Sequence, residues 1–276
     1  MRSQKPAGLV GAGGVNQSFL ARLPAVLEQI GPVKGSSLKV SRRIANGLRV
    51  GFGVDDYRAL EPCGFIWILA PESALDSITA ELVSAVPLAG KTLVLCDALR
   101  DSLRPSPLRM TGARVVTLNC LPESSERKFV GEGHPAALAE LRKILALDRR
   151  KLIELRPATK PLYFAGAYLG SQLLMPWIAG AAESFRAAGF SRDEAVGAVE
   201  ALGVRALRAY AKAGDKAWNR ATAERLHRAI ARDLETLRFT DTRLAALFSD
   251  GSDRMLRFFA KPVRKERLKA LAQRSG

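Results

Sequence analysis

Residues 9–19 read LVGAGGVNQSF, a glycine-rich turn set between two different sequence patterns. Before it, Ala7 to Val10 forms a short apolar run typical of a buried strand. After it, Gln17 to Ile30 continues with helical spacing. Strand, glycine loop and helix in this order predict a phosphate-binding turn, because the loop and the helix N-terminus present backbone N–H groups to an anion. Gly11 would make the tight turn, and Gly13 would let the backbone approach a pyrophosphate.

The third glycine of the G-x-G-x-x-G pattern is replaced by Asn16. A larger side chain at this position moves the helix outward but leaves the backbone amides that bind phosphate. A glycine-rich turn that binds no ligand is the alternative interpretation. The turn therefore contributes five candidate cofactor-binding residues, Gly11, Gly13, Gly14, Val15 and Asn16.

The first half of the chain alternates short apolar runs with helical patterns, as βαβ units on a parallel sheet do. FIWILA and TLVLC are continuous apolar runs, typical of strands that are covered on both faces. SALDSITAELVSAV between them is predicted to be an amphipathic crossover helix, with Leu75, Ile78, Leu82 and Val86 on one stripe. We therefore expect a doubly wound, Rossmann-like α/β sheet with strands at Ala7 to Val10, Val33 to Ser37, Phe65 to Ala70, Thr92 to Cys96 and Arg114 to Leu118.

The stretch VKGSSLKVSRR follows the second predicted strand, where NAD-binding folds place an acidic residue on the ribose hydroxyls. It contains no acid between Val33 and Arg43. Hydroxyl and cationic groups suit a 2′-phosphate instead, so the stretch favours NADP over NAD. The alternative is that these are surface charges of a basic protein. The candidate residues are Ser36, Ser37, Lys39 and Arg42, and the APES turn adds Ala70, Pro71 and Glu72 beside the nicotinamide ribose.

From about Pro161 the strand-like runs disappear and long helical patterns follow, which predicts two domains, residues 1–158 and an all-α region at 159–276. Ser191 and Glu194 form a capping box that opens one helix. Pro161 to Ala182 carries no charge over 22 residues. We interpret it as a helix buried all round at a domain or dimer interface, because its polar residues, Pro176 and many small residues argue against a membrane span.

The formal net charge of +16 makes nucleic acid or an anionic membrane surface possible partners. Acids interleave with the basic residues at helical spacing, and the basic tail lacks aromatic residues for base stacking, so we expect solvated helix faces instead. The three cysteines form no C-x-x-C pair, and the N-terminus has no apolar export segment. These features predict a cytoplasmic protein with free thiols and no metal site.

Six motifs occur in an order that resembles one family. They are GLVGAGGVNQSF, VKGSSLKVSRRIAN, FIWILAPESAL, TLVLCDAL, GARVVTLNCLP and LYFAGAYLGSQ. The order resembles the Rossmann-like proteins that carry a helical domain of unknown function 2520, relatives of pyrroline-5-carboxylate reductase and deazaflavin-dependent NADP oxidoreductase. The resemblance spans Ala7 to about Leu237. It implies an NADP-binding domain followed by a helical domain that forms a homodimer, in the 6-phosphogluconate-dehydrogenase-like arrangement.

The chain departs from that family where the family has histidines. LCDAL, at Leu95 to Leu99, stands where the family has a histidine, and Asn119-Cys120-Leu121 replaces a His-Pro-Leu turn. Phe164, after Tyr163, replaces a third histidine, and Gln172 replaces an asparagine. The remaining catalytic candidates are Asp97, Asn119, Tyr163 and Gln172, with Tyr168 and Ser171 nearby in sequence.

Three functions stay open at this point. The first is an oxidoreductase that transfers hydride to or from a small imine or carbonyl compound of unknown identity. The second is a catalytically silent NADP-binding sensor or scaffold, because the usual proton donor near neutral pH is missing. The third is a basic protein that binds nucleic acid or a membrane surface.

Overall fold

The structure is a computed structural model that describes residues 7–11, 18–99, 108, 110–120, 128–217, 219, 224–225, 227–228, 231 and 234–260. The chain divides into two compact units, Met1–Phe164 and Ala165–Gly276. The first unit contains the sheet, and the second is helical.

Eight strands are present in the described part of the first unit, in the spatial order β3-β2-β1-β4-β5-β6-β7-β8. Neighbouring strands from β3 to β6 pair in parallel, β7 is antiparallel to β6, and β8 is parallel to β7. The order reverses between β1 and β4, which confirms the doubly wound sheet predicted from the sequence. The strands are β1 (Ala7–Gly11), β2 (Ile30–Lys34), β3 (Phe52–Val54), β4 (Phe65–Leu69), β5 (Thr92–Cys96), β6 (Arg114–Cys120), β7 (Lys128–Gly133) and β8 (Lys151–Glu154).

Alternate residues of the central strands face two apolar layers. Leu9 and Trp67 pack in one layer with helices α1 (Ser18–Ala21), α2 (Pro24–Leu27), α3 (Leu38–Leu48) and α5 (Pro135–Leu147). Val10 and Ile68 pack in the other layer with α4 (Leu75–Ala85). Because both faces are covered, every residue of β1 and β5 is buried, which explains the continuous apolar runs. The predicted stripe Leu75, Ile78, Leu82 and Val86 is buried, as expected.

Two predicted elements at the start of the chain were wrong. The single helix expected over Gln17 to Ile30 is two short helices, because Pro24 begins α2 and has no N–H to donate to the preceding turn. The strand expected over Val33 to Ser37 lies three residues earlier, at Ile30–Lys34. It ends there because Ser37 is already the N-cap of α3 and accepts the N–H of Val40 at 3.3 Å.

The helical unit is built around α7 (Met175–Ala187), α8 (Arg192–Ala213), α9 (Leu234–Thr240) and α10 (Thr242–Ala260), and α6 (Lys160–Leu169) crosses the boundary between the units. The capping box is confirmed: the Ser191 hydroxyl accepts the Glu194 N–H, and the Glu194 carboxylate accepts the Ser191 N–H at 2.8 Å.

The prediction of one continuous helix over Pro161 to Ala182 was wrong, whereas its burial at a domain or dimer interface stays a prediction. Helix α6 ends at Leu169 and α7 starts at Met175, with a 3-10 turn between them. Both of these side chains are exposed, at 62% and 59%. Ser171 leaves the helical conformation at φ −132°, and Pro176 lacks the N–H that a continuous helix would use. Within the described residues, no helix combines the length and apolar character needed to cross a bilayer.

Candidate functional site

The carboxyl ends of six parallel strands, β1 to β6, lie at one edge of the sheet. The register pairs Val10 of β1 with Lys34 of β2, and Gly11 of β1 with Leu69 of β4. Strands β5 and β6 continue the edge, with Cys96 opposite Leu118. The turns that follow these strands carry most of the residues singled out in the sequence. Ligands of doubly wound sheets bind at this edge, beside the point where the strand order reverses.

Gly11 closes β1 at this edge. A Cβ atom on Gly11 would lie 2.9 Å from Cδ1 of Ile44, so the missing side chain lets α3 pack against the end of the strand. The other four candidates of the glycine loop, Gly13, Gly14, Val15 and Asn16, lie outside the described residues.

The turn after β2 brings the predicted phosphate-binding residues together. Ser36, Ser37, Lys39 and Arg42 are all exposed at the start of α3. Helix N-termini carry partial positive charge and unsatisfied N–H groups, so this cluster is suited to an anion.

Ser41 holds this turn and was not identified from the sequence. Its hydroxyl is fully buried, accepts the Gly35 N–H at 2.7 Å and lies 2.7 Å from the Val54 carbonyl, to which it can donate. A Cβ atom on Gly35 would lie only 2.9 Å from the backbone nitrogen of Ser41. The turn is therefore held between α3 and the end of β3.

Lys34, the last residue of β2, is a second residue that sequence reasoning missed. It is only 7% exposed. Its ammonium donates to the Gly35 carbonyl and lies 4.8 Å from the centre of the Tyr57 ring. The signal in the sequence was a lysine at the last position of an otherwise apolar strand, IGPVK.

The turns after β4 and β5 are tied to each other. Pro71 precedes a 3-10 turn, and the carboxylate of Glu72 accepts the Leu99 N–H at 3.1 Å. Asn119, buried at the end of β6, donates from its side-chain amide to the Ala98 carbonyl at 3.1 Å. Both side chains thus hold the β5 turn in place. That turn presents Asp97, which is exposed and has the left-handed φ of 55°.

Tyr163 on α6 lies near the same turn. Burial raises the pKa of its hydroxyl, and the neighbouring Cys120 and Asp97 raise that pKa further. The thiol of Cys120 accepts a hydrogen bond from the Arg22 guanidinium at 2.7 Å. Asp97, Cys120 and Tyr163 are therefore brought together at the carboxyl edge.

Gln172 belongs to the helical unit, where it accepts a hydrogen bond from the hydroxyl of Ser171. Tyr168, in the same unit, is 53% exposed.

Neither histidine of the chain is part of this edge of the α/β unit. His134 caps α5: its backbone N–H donates to Val115 near the start of β6, which is the opposite edge, and its Nδ1 accepts the Ala136 N–H. His227 stacks on the ring of Phe248 in the helical unit, with 5.7 Å between centroids. Among the residues with described positions, no group of three or more potential metal ligands is present.

No protein-family model matches the sequence, and no curated protein matches it. Solved structures do match. A Bacteroides fragilis protein named as an NADP oxidoreductase has a TM-score of 0.66 and 14% identity, over 92% of this chain and 98% of that chain. An imine reductase variant from Myxococcus stipitatus, solved with NAD+, also has a TM-score of 0.66 and 14% identity, over 93% and 99% of the two chains. Plasmodium falciparum pyrroline carboxylate reductase with NADP bound has a TM-score of 0.51 and 14% identity, over 92% and 99%.

The chain has a Rossmann-like fold. The expected similarity to relatives of pyrroline-5-carboxylate reductase is confirmed at the level of the fold, including the helical C-terminal region.

The residues at the carboxyl edge fit a phosphorylated nucleotide. Lys34 provides a buried cation, and the start of α3 provides exposed hydroxyl, ammonium and guanidinium groups. No acidic residue lies between Val33 and Arg43 to repel an anion. At the other side of the edge, Asp97 and Tyr163 supply a carboxylate and a neutral phenol. The carboxyl edge thus combines cationic and hydroxyl groups after β2, which suit an anion, with polar groups near the β5 turn, which suit a small organic substrate.

Proposed function

We propose that the chain is an NADP-dependent oxidoreductase that transfers hydride to or from a small imine or carbonyl compound. The turn after β2 carries this proposal: it places two serines, a lysine and an arginine at the start of α3, with no acid to bind a ribose 2′-hydroxyl. The names of the structural neighbours, which include imine reductase and pyrroline carboxylate reductase, support the same chemistry.

The cofactor would be held by the residues after three strands. Gly11 and the loop that follows it would bind the pyrophosphate. The 2′-phosphate would be bound by Ser36, Ser37, Lys39 and Arg42. Ala70, Pro71 and Glu72 would lie beside the nicotinamide ribose. When bound, the nicotinamide supplies or accepts the hydride. The hydrogen bond from Leu99 to Glu72 keeps the turns after β4 and β5 in a fixed relation, so the substrate end of the edge is preorganised.

Asp97 and Tyr163 suit an imine better than a carbonyl. A carbonyl needs a proton during reduction, and the histidine of the α/β unit, His134, lies at the opposite edge of the sheet. Tyr163 is a weak acid because its pKa is raised, so it donates a hydrogen bond more readily than a proton. A protonated imine already carries its proton, and the carboxylate of Asp97 would favour that protonated form of a bound imine.

A catalytically silent NADP-binding sensor or scaffold is the second candidate. The observation that favours it is the structural role of Asn119, a catalytic candidate whose side-chain amide donates to the Ala98 carbonyl of the β5 turn. This candidate predicts cofactor binding without turnover of imines or carbonyls.

Cofactor binding is the first test, measured by fluorescence and thermal shift with NADPH and NADH. We expect NADPH to bind more tightly and the Ser36→Ala/Arg42→Ala variant to lose the preference. The variant Ser77→Ala/Arg192→Ala removes the same two side-chain types from exposed positions elsewhere and should keep it. Stabilisation by neither nucleotide at millimolar concentration would exclude both candidates.

We also propose that the protein is a cytoplasmic homodimer that associates through the C-terminal helices. A groove of about 740 Å³ between α7 and α8 supports this assembly. Its lining includes Ile178, Val196, Leu207 and Tyr210, which are 38% to 70% exposed in the single chain. An apolar surface of this kind is typical of a protein–protein interface. Three free cysteines support the cytoplasmic location.

A further inference from the structure

Lys34 is a buried cation with few partners. It is 7% exposed, yet its ammonium has three N–H donors and, among the residues that the structure describes, one hydrogen-bond acceptor, the Gly35 carbonyl. The second contact is the face of the Tyr57 ring, at 4.8 Å. Lys34 forms no ion pair with any residue that the structure describes. The described part of the chain therefore compensates this cation incompletely.

The nearby carboxylate of Asp56 compensates this charge only weakly: among the causes that lower the pKa of Asp56, the charge of Lys34 is the smallest. The Asp56 carboxylate accepts the guanidinium Nε–H of Arg58 at 2.7 Å, and this hydrogen bond is the main reason why the pKa of Asp56 is lowered. Burying an ammonium is costly in free energy unless a negative charge is paired with it. An apolar side chain of the same length would pack against the Tyr57 ring equally well without that cost. The retained charge therefore points to an anion supplied by a ligand.

The position of Lys34 identifies which part of a ligand could supply the anion. Lys34 pairs with Val10 in the sheet register and precedes Gly35 and Ser36, so it lies at the end of β2 beside the start of α3. Doubly wound folds bind the adenosine ribose at this strand end. A 2′-phosphate is a dianion at neutral pH, whereas a free 2′-hydroxyl carries no charge.

We propose that Lys34 is a further specificity-determining residue, acting together with Ser36 and Arg42, that selects a 2′-phosphorylated adenosine over an unphosphorylated one, an inference that rests on the proposed function. Lys39 and Arg42 are exposed, so water and salt screen their charges. The ammonium of Lys34 is shielded from water and fixed between Gly35 and Tyr57, so its interaction with the phosphate is stronger.

The test compares Lys34→Met with Lys39→Met, which removes an exposed ammonium from the same segment. Affinities for NADPH, NADH, 2′,5′-ADP and 5′-AMP are measured by calorimetry. A hydrogen bond to a charged group contributes a factor of about ten or more to affinity. Lys34→Met should therefore lower the affinity for NADPH and for 2′,5′-ADP by at least about tenfold. NADH and 5′-AMP should change by less than about threefold, and Lys39→Met should have the smaller effect on all four.

The outcomes separate this inference from the proposed function. If the wild-type protein prefers NADPH and Lys34→Met keeps that preference unchanged, Lys34 is not a selecting residue and the proposed function stands. If the wild-type protein binds none of the four nucleotides, both fail.

Lys34→Arg, which keeps the positive charge, should keep the preference. A further measurement uses only the wild-type protein, in case Lys34→Met does not fold. Reductive methylation of Lys34, followed by mass spectrometry, should be slowed by 2′,5′-ADP and not by 5′-AMP at equal site occupancy. Equal protection by both nucleotides would overturn the inference.

Discussion

Asp97 is the residue with which the proposed substrate can be tested. Its φ of 55° is tolerated by asparagine as well as aspartate, so Asp97→Asn removes the charge without straining the turn. We expect kcat/KM for a small cyclic imine such as 1-pyrroline to fall by about tenfold or more, because the cationic imine loses a facing carboxylate. NADPH affinity should not change. The control is Asp55→Asn, at an exposed position in another loop. An unaltered rate for Asp97→Asn would remove Asp97 from the substrate site.

Tyr57 gives a prediction that requires no substrate. Burial raises the pKa of its hydroxyl to about 12, against an ordinary value of 10.0. The unfolded chain therefore loses this proton at lower pH than the folded protein does, so stability is complete below pH 10 and declines as the pH rises towards 12. Urea unfolding at a series of pH values from 9 to 11 should show a smaller alkaline loss for Tyr57→Phe than for the wild type. Equal losses would show that Tyr57 does not carry the effect.

At the scale of elements, the Ser41 hydroxyl of α3 forms hydrogen bonds with the backbone after β2 and at the end of β3. Replacing Ser41 by alanine leaves the Gly35 N–H without its acceptor, and that group is buried. We expect the free energy of unfolding to fall by about 1–3 kcal/mol and NADPH to bind more weakly, because the turn that holds Ser36 and Ser37 is no longer fixed. Ser36→Ala removes an exposed hydroxyl from the same turn and should change stability by less than about 0.5 kcal/mol. Equal effects of the two variants in urea unfolding would contradict this role of Ser41.

The elements also show how far the sequence determines the fold. Local patterns predicted the buried strands and one helix. A continuous apolar run predicts a strand buried on both faces, as in β4 and β5, and apolar residues at helical spacing predict the buried stripe of α4. Strand β7 could not be predicted, since its antiparallel pairing with β6 depends on contacts between distant segments. The site shows the same limit. Ser36 and Arg42 could be identified from their side-chain types, whereas Lys34, in the same stretch, was missed because its contact with Tyr57 arises only in the folded chain.

At the scale of the whole molecule, the helical unit leaves apolar side chains uncovered. Leu174, Ile178 and Leu207 line the groove between α7 and α8 and are 45%, 38% and 70% exposed in the single chain. Exposed apolar surface costs free energy in water, and a second copy of the same groove would cover it symmetrically. The proposed homodimer therefore accounts for a helix pair that the single chain does not bury.

A charge in that groove tests the homodimer. Leu207→Glu places a carboxylate where the two copies would meet, and two buried, unpaired carboxylates are costly. We expect light scattering after size exclusion to show a dimer for the wild type and a monomer for Leu207→Glu at micromolar concentration. Leu147→Glu is the matched control: Leu147 is 65% exposed on α5 in the α/β unit, so the same substitution should leave the dimer intact. A monomeric wild type, or a Leu207→Glu variant that stays dimeric, would contradict association through this groove.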